Sequence, residues 1–366
     1  MKIAFNGLII DEKRAGIGQY GHNLINSLIK KKEGIDYTFF LQEDIKFSYD
    51  NIIYRKNYNR SYERIFEEQV SLPTKYNKYD LVHFIDYSSP ILPIKVPFIT
   101  TIHDLSFYKY PQAFTRGSRK IKELLTPISV KRSEIIVTIS ESTKKDIISY
   151  FPDVEDKIRV VYPGKPCFTR VDNNFQIDSV KKMYGIEGKY ILAVGTLEPR
   201  KNIKSLIRAF SIINKEFKDI KLVLVGKKGW LYDEEFREIK DIEMNNNLIY
   251  TDYVRQEHMA ALYSGAEVFV YPSFYEGFGL PPLEAMSCGV PVVVSNTSSL
   301  PEVVADAGVY CDPNNVKNIA ESVISVLGST SLKKELAKKG IIQSNKFSWD
   351  KTAENIISIY KEILKL

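Results

Sequence analysis

Short apolar runs alternate with amphipathic stretches along the whole of this sequence. In its first half the runs Lys2–Phe5, Tyr37–Leu41, Leu81–Ile85, Phe98–Ile102, Ile135–Ile139 and Arg159–Tyr162 read as strands. Between them, Gly18–Lys31 and Glu141–Tyr150 place apolar residues at helical spacing. The second half repeats the theme with Tyr190–Val194, Lys221–Val225, Leu248–Tyr250, Val268–Tyr271 and Val292–Ser295. Past Ser331 the pattern is helical twice, to about Lys346 and again from Trp349 to Leu366. Uninterrupted apolar runs belong to strands buried on both faces, and strands that alternate with helices build parallel sheets. The pattern therefore predicts an α/β protein of two doubly wound, Rossmann-like domains. A turn-rich stretch of weak periodicity, "PGKPCFTRVDNN" at Pro163–Asn174, marks the boundary between them. Ligands of open α/β sheets bind outside the carboxyl ends of the strands. Two such sheets are expected to face each other across a central cleft, with the chemistry on the loops that follow strands.

Composition narrows the class. A chain of 366 residues, 44% hydrophobic and 26% charged, has room for two full cores and the balance of a soluble enzyme. Cys167, Cys288 and Cys311 are odd in number and widely spaced, which fits a reducing compartment and neither a disulfide framework nor a metal site. No apolar stretch approaches the ~18 residues of a membrane span, and the first run is too short for a signal peptide. These features predict a cytoplasmic protein.

Charge is unevenly placed. Met1–Lys165 holds 26 basic and 20 acidic residues, which accounts for the entire net charge of +6. Much of the excess falls in "RGSRKIKELLTPISVKR", where Arg116, Arg119, Lys120, Lys122, Lys131 and Arg132 accompany a single acid. The plain reading is a solvated helix face. The sharper one is attraction to an anionic membrane surface, which would make the protein peripheral on the inner face of the cell membrane. No nucleic-acid motif accompanies the charge, so nucleic acid is not an expected partner.

The most informative loop follows Val268–Tyr271 and reads "PSFYEGFGLPPLEAM". Gly277 and Gly279 allow close approach of the backbone to a ligand, and Pro281 and Pro282 suit a helix's first turn. Glu276 stands just ahead of the loop and Glu284 about one turn inside the helix. A helix N-terminus with Gly-rich amides before it attracts anions. Carboxylates beside such a site suit a ligand whose diphosphate is flanked by hydroxyls, as in a nucleotide-sugar. Taken singly, Glu276 reads as a cap and Glu284 as a first-turn acid; the joint pattern points to function. "LAVGTLEPRKNIKSL" follows the second half's first strand and sets Arg200 and Lys201 beside a helix start. Cations there oppose the helix dipole unless an anion lies between. "RAGIGQYGHNLINSL" opens a helix with Gly16 and Gly18, a weak signal by itself.

The segment "FYEGFGLPPLEAMSCGVPVVVS" resembles the E-x(7)-E signature of retaining glycosyltransferases of family 4, and "SLPEVVADAGVYCDPNN" continues the likeness. Further matches run from Ala15 to Trp349. The resemblance implies the GT-B fold: an acceptor-binding domain over residues 1–168, a donor-binding domain over 169–346, and a helix at 347–366 crossing back to the first. It implies that Glu276 contacts donor-sugar hydroxyls and Glu284 the ribose, with Gly277, Phe278, Gly279 and Leu280 in the donor loop. Arg200 and Lys201 become the basic pair for the diphosphate. Many members carry arginine directly after the strand-end glycine, where this chain has Thr196. Gly16 becomes the phosphate-facing glycine. His103 in "TTIHDLSF" is otherwise a structural histidine; by resemblance it touches the donor sugar near the reacting carbon, with Asp104 orienting it or binding acceptor. Ser140 in "TISESTKKDI" is explained by capping and ranks low as an acceptor contact. Tyr253 and Val254 would lie near the base, preceded by Asp252 where the family usually has glycine.

The expected activity is hexosyl transfer with retention and without a metal, no Asp-x-Asp pair being present among the motifs. No cofactor is expected beyond the nucleotide-sugar co-substrate. The motif variants look most like mannosyltransferases that use GDP-mannose, with a lipid-linked glycan acceptor; UDP-sugar donors are the alternative. A nucleotide-sugar 2-epimerase shares the fold. A nicotinamide-dependent dehydrogenase would need more than the Gly16, Gly18 and Gly21 of "GIGQYG", namely a downstream acid. A non-catalytic sugar-binding scaffold would need all these residues kept without turnover.

Overall fold

The computed structural model describes residues 1–10, 16–31, 34–58, 61–166, 169–227, 229 and 247–366. Cys167 and Ala15 fall outside that set. The described residues form two compact units, Met1–Lys109 with Arg116–Gly164 and Ser348–Leu366, and Tyr110–Thr115 with Lys165–Phe347.

The first unit holds a seven-stranded sheet of order β3-β2-β1-β4-β5-β6-β7. Its strands are β1 (Lys2–Asn6), β2 (Asp36–Gln42), β3 (Ile52–Arg55), β4 (Leu81–Phe84), β5 (Phe98–Ile102), β6 (Ile135–Thr138) and β7 (Ile158–Val160). Every pairing in it is parallel. The order reverses between β1 and β4, the switch point of a doubly wound sheet. Ala4, Phe40, Val82, Phe84 and Phe98 form the centre of a buried cluster with Leu72, Tyr76 and Tyr79. The last helix, Trp349–Leu364, is part of this unit. Tyr360 Oη lies 2.7 Å from His83 Nδ1, and Thr352 Oγ1 donates to Tyr162 O at 2.7 Å. Burial lowers the His83 pKa to about 3, so the imidazole is a neutral core hydrogen-bonding group. A Cβ on Gly164 would meet Trp349 N at 2.2 Å, so only glycine lets the helix seat there.

The second unit holds a six-stranded sheet, β10-β9-β8-β11-β12-β13, again all parallel. Its strands are β8 (Tyr190–Val194), β9 (Lys221–Val225), β10 (Leu248–Tyr250), β11 (Val268–Tyr271), β12 (Val292–Ser295) and β13 (Gly308–Cys311). The switch point falls between β8 and β11. Helix Ile203–Glu216 covers one face, its Leu206, Ile207, Phe210 and Ile213 packing with Ile191, Leu222, Val268 and Val293 in one core. Cys288 and Cys311 are buried and free of any disulfide. Among the described residues, no helix is long and apolar enough to cross a membrane.

The expected strands are present with small changes of bounds. β3 and β13 are additions, both at sheet edges, where half-exposed residues weaken the apolar signal.

Candidate active site

Both strands flanking the second sheet's switch point deliver charged residues to it. After β8 the chain turns at Gly195 (φ +152), whose carbonyl would lie 1.9 Å from a Cβ on Gly226 (φ +145). Glycine at 226 thus lets the turns after β8 and β9 meet backbone to backbone. The loop then forms a short 3-10 turn, Pro199–Lys201, and ends at Asn202 in the left-handed region (φ +57). Asn202 Nδ2 donates to Pro272 O at 3.0 Å and Pro313 O at 2.7 Å, tying this loop to the one after β11.

Across that tie, charges meet. Lys201 Nζ sits 2.7 Å from Glu276 Oε1, and Arg200 Nη1 sits 3.0 Å from Glu276 Oε2. Arg200 Nη1 also donates to Tyr275 O at 2.6 Å, while Nη2 donates to Glu198 Oε1 at 2.6 Å. Lys201 donates to Tyr271 Oη at 2.5 Å. Burial would raise the Glu276 pKa, but Arg200 and Lys201 outweigh it and hold the carboxyl at about 2. Burial lowers the Lys201 pKa, with Glu276 opposing. Expectation had the basic pair on phosphate and Glu276 on sugar as separate tasks. The structure makes them one buried cluster, so Lys201 is no solvated loop charge.

The helix after this loop, Leu280–Ser287, begins at Gly279 (φ +110), a conformation glycine adopts without strain. Its first three residues are Leu280, Pro281 and Pro282, so only Leu280 among them carries an N–H. The N–H groups this helix start can present are therefore that of Leu280 and those of the loop before it. Glu284 is buried in the second turn, its Oε2 accepting from Tyr263 Oη at 2.7 Å.

A hydroxyl-rich segment after β12 backs the Glu276 loop, and sequence reasoning gave it no role. Ser298 Oγ accepts from Glu276 N–H at 3.0 Å. Ser299 Oγ lies 3.0 Å from Glu276 O and 2.7 Å from Phe278 O. Thr297 Oγ1 donates to Phe274 O at 3.1 Å and Ser295 Oγ to Ser273 O at 2.5 Å. Ser298 holds φ at +54, an uncommon conformation for a residue with a side chain. The available signal was the unbroken polar run "SNTSS", which starts on the last residue of β12 and continues past it.

The remaining donor-side candidates lie at neighbouring strand ends. Thr196 is half-buried beside Gly229, whose Cβ would meet its Cγ2 at 2.9 Å. Tyr253 is exposed with Lys227 Nζ 4.9 Å from its ring centre, whereas Val254 is buried. Asp252 adopts φ +56, and its carbonyl accepts from Gly226 N–H at 3.0 Å. A left-handed residue explains why glycine suits this position, and aspartate is among the few that replace it.

Gly16, His103, Asp104 and Ser140 belong to the first unit. Gly16 precedes helix Ile17–Lys30 at φ +50 and ψ −105, and a Cβ there would meet nothing within 4 Å. Its glycine is thus required by conformation and not by crowding. His103 Nε2 lies 2.7 Å from Ile85 O, which can only accept, so Nε2 carries the proton and Nδ1 presents a lone pair. Burial lowers the His103 pKa, keeping it neutral. Asp104 does not orient His103 by a hydrogen bond: its Oδ1 accepts from Ser106 N at 2.9 Å and Ser106 Oγ at 2.5 Å. Ser140 caps helix Glu141–Tyr150, accepting from Thr143 N at 3.0 Å, and Thr143 Oγ1 donates to His103 O at 3.2 Å. Capping accounts for Ser140, which supports the histidine's backbone at one remove.

The basic run is one helix, Arg116–Arg132. Three of its cations also have partners within the unit. Arg119 pairs with Glu123 at 2.7 Å, Lys122 lies 4.6 Å from the Tyr87 ring centre, and Arg132 Nη1 donates to Pro90 O and Ile91 O at 2.7 Å. Arg116, Lys120 and Lys131 are exposed.

Comparison with known proteins bears on this geometry. Residues 177–362 match the family model "Glycosyl transferases group 1", and residues 14–165 match "Glycosyltransferase Family 4". The O-antigen chain mannosyltransferase B of Escherichia coli is 36% identical over 267 residues, covering 72% of this chain and 70% of that protein. The serotype-specific mannosyltransferase WbdA of Escherichia coli is 32% identical over 242 residues, which is 64% of this chain but only 29% of the longer WbdA. Sucrose-phosphate synthase from Thermosynechococcus elongatus has a similar fold throughout, with a TM-score of 0.78 at 19% identity, covering 100% of this chain and 99% of that one. The chain belongs to the glycosyl transferases group 1 family and has the GT-B fold.

Proposed function

We propose that this family member moves mannose from GDP-mannose to a growing, lipid-linked glycan, with retention of anomeric configuration, in O-antigen or lipopolysaccharide-type synthesis. The observation that carries the reading is the buried Arg200–Lys201–Glu276 cluster at the second sheet's switch point, with Glu284 held by Tyr263 one helix turn beyond. Two cations there neutralise the diphosphate as the sugar–phosphate bond breaks, without calling on a metal. The acceptor hydroxyl attacks the same face of the sugar and passes its proton to a donor phosphate oxygen. Glu276 positions sugar hydroxyls and is not the nucleophile; Glu284 accepts from the ribose. His103, neutral and with a free Nδ1 lone pair by our assignment, meets a sugar hydroxyl. The names of the similar Escherichia coli proteins support mannose as the hexose. A UDP-sugar is the competing donor.

The acceptor reading places the protein at an anionic membrane surface, through exposed Arg116, Lys120 and Lys131. Reversing those three charges is expected to weaken binding to anionic vesicles, and unchanged binding would remove the membrane from the reading. The donor is tested by a thermal-shift panel of GDP, UDP, ADP and dTDP with their common sugars. Stabilisation by GDP and GDP-mannose, reduced by Glu284→Ala, is expected. Stabilisation by UDP compounds instead would transfer the assignment to a UDP-sugar.

A further inference from the structure

We propose that Glu198 is a positioning residue for Arg200 and a permanent counter-ion that limits how tightly the nucleoside diphosphate product is held. The inference rests on the donor-site reading above, and nothing in that reading gives Glu198 a task. Its side chain is buried, with 5% of the residue exposed, at the start of the 3-10 turn that carries the basic pair. A buried carboxylate needs a partner. Its partner is Arg200 Nη2 at 2.6 Å, shorter than the 3.0 Å contact from Nη1 to Glu276.

The two edges of the guanidinium are thereby divided. Glu198 holds one, and this turns the other toward Tyr275 O and Glu276. Arginine's planar fork transmits that orientation, whereas a flexible ammonium would not. The charges follow the same division. With no ligand, Arg200 and Lys201 face Glu198 and Glu276, two positive groups against two negative. When a nucleotide-sugar enters and Glu276 turns to sugar hydroxyls, the cations are released to the diphosphate. Glu198 has no sugar to turn to and stays. It subtracts one charge from the site at every stage, including after transfer, when the nucleoside diphosphate must leave. A cluster without it would grip that product harder, and release would slow turnover.

The prediction runs against ordinary damage to a buried residue. Replacing Glu198 by glutamine should tighten GDP or UDP binding, whichever the wild type binds, by roughly three- to tenfold, because a neutral partner no longer offsets a cation in a low-dielectric site. kcat and the donor KM should fall together as release becomes slower. Glu198→Asp keeps the charge on a shorter arm; its diphosphate affinity should stay within about twofold of wild type while kcat drops several-fold from the misplaced guanidinium. In an Arg200→Gln background Glu198→Gln should tighten binding by less than it does alone, since the share of its action that passes through the arginine is gone and only its charge near Lys201 remains.

Isothermal titration with GDP and UDP, melting temperatures and steady-state rates read all of these. Weaker or unaltered diphosphate binding by a folded Glu198→Gln protein would overturn the proposal, as would a Glu198→Asp enzyme with wild-type kcat. Should the glutamine variant not fold, the aspartate variant decides through its diphosphate affinity and its kcat. Lys201→Ala separates the two levels. If it fails to weaken diphosphate binding, the donor-site reading itself falls; if it weakens binding but Glu198→Gln does not tighten it, only the present proposal does.

Discussion

Each unit buries a cluster of opposite charges at the carboxyl end of its sheet, and the two behave in opposite ways. In the second unit Arg200 and Lys201 converge on Glu276 and hold it at about 2. In the first, a single cation serves two carboxylates: Arg64 Nη1 lies 2.8 Å from Glu68 Oε2 and 3.4 Å from Asp86 Oδ2. There burial pushes Glu68 up to about 7, with Asp86 adding to the rise and Arg64 opposing it. Burial is similar in both places, so the ratio of cations to carboxylates sets the sign. One arrangement keeps a carboxylate charged between two cations; the other fastens a segment. Asn6, the last residue of β1, donates to Glu68 Oε1 at 3.0 Å, and Asp86 follows β4. Arg64 and Glu68 thus pin residues 61–71 to both strands of the first switch point.

Removing Arg64 is the harshest way to break the contrast. Above pH 7, where Glu68 is ionised, Arg64→Met should cost ~3–5 kcal/mol, because a buried carboxylate then loses its cation. Denaturant titration reads the loss, and a change under 1 kcal/mol would mean that the carboxylates are already neutral. Lys201→Ala in the other cluster should act on rate instead, lowering kcat about 10²–10³-fold with little loss of fold, as for a group that stabilises developing charge. A melting temperature that collapses along with the rate would make Lys201 structural.

The two carboxylates also give opposite pH slopes. Glu68 keeps its proton to about pH 7 when folded but loses it near 4.5 when unfolded, so rising pH should lower stability across that window. Glu276 is the reverse: folded at about 2 against an ordinary 4.5, it adds stability that is lost as pH falls from 4.5 toward 2. Unfolding free energies measured across both windows should lose the upper slope in Glu68→Gln and the lower one in Glu276→Gln. Slopes that survive these changes would assign them to other groups.

The gentlest comparison removes one hydroxyl from each cluster. Ser88→Ala, which loses the donor to Asp86, should cost about 1 kcal/mol and leave kcat within about twofold. Ser298→Ala, which releases the Glu276 amide, should cost no more in stability but lower kcat by about tenfold. Equal effects on rate would erase the distinction between the clusters.

The contrast also explains what the sequence disclosed. Strands β8, β9, β11 and β12 lie where their apolar runs place them, since a strand buried on both faces has no polar interruption. The segment 61–71 escaped because its pattern is inverted: Arg64 and Glu68 are buried while Tyr62, Phe66 and Val70 are exposed. Periodicity alone would turn that helix the wrong way round. In the candidate site, spacing disclosed Glu276, Glu284 and the basic pair, because those residues share short loops. Glu198 and Tyr263 stayed hidden, one beside a more conspicuous arginine and one 21 residues away from its glutamate. Ser298 and Ser299 act on backbone atoms of another loop, which leaves no local pattern to read.

One feature of the chain's course bears on how the molecule is made. The path passes between the units at 109/110, 115/116, 164/165 and 347/348, so neither unit is an unbroken stretch of polypeptide. The first unit is begun first and finished last. While the ribosome works through the second unit, His83 lacks Tyr360 and the face of Gly164 lacks Trp349. A cut at 347 would deliver that incomplete half permanently, with apolar surface bare. Vectorial synthesis therefore asks the earliest-made half to wait for residues 348–366, a period in which a chaperone has the most to protect.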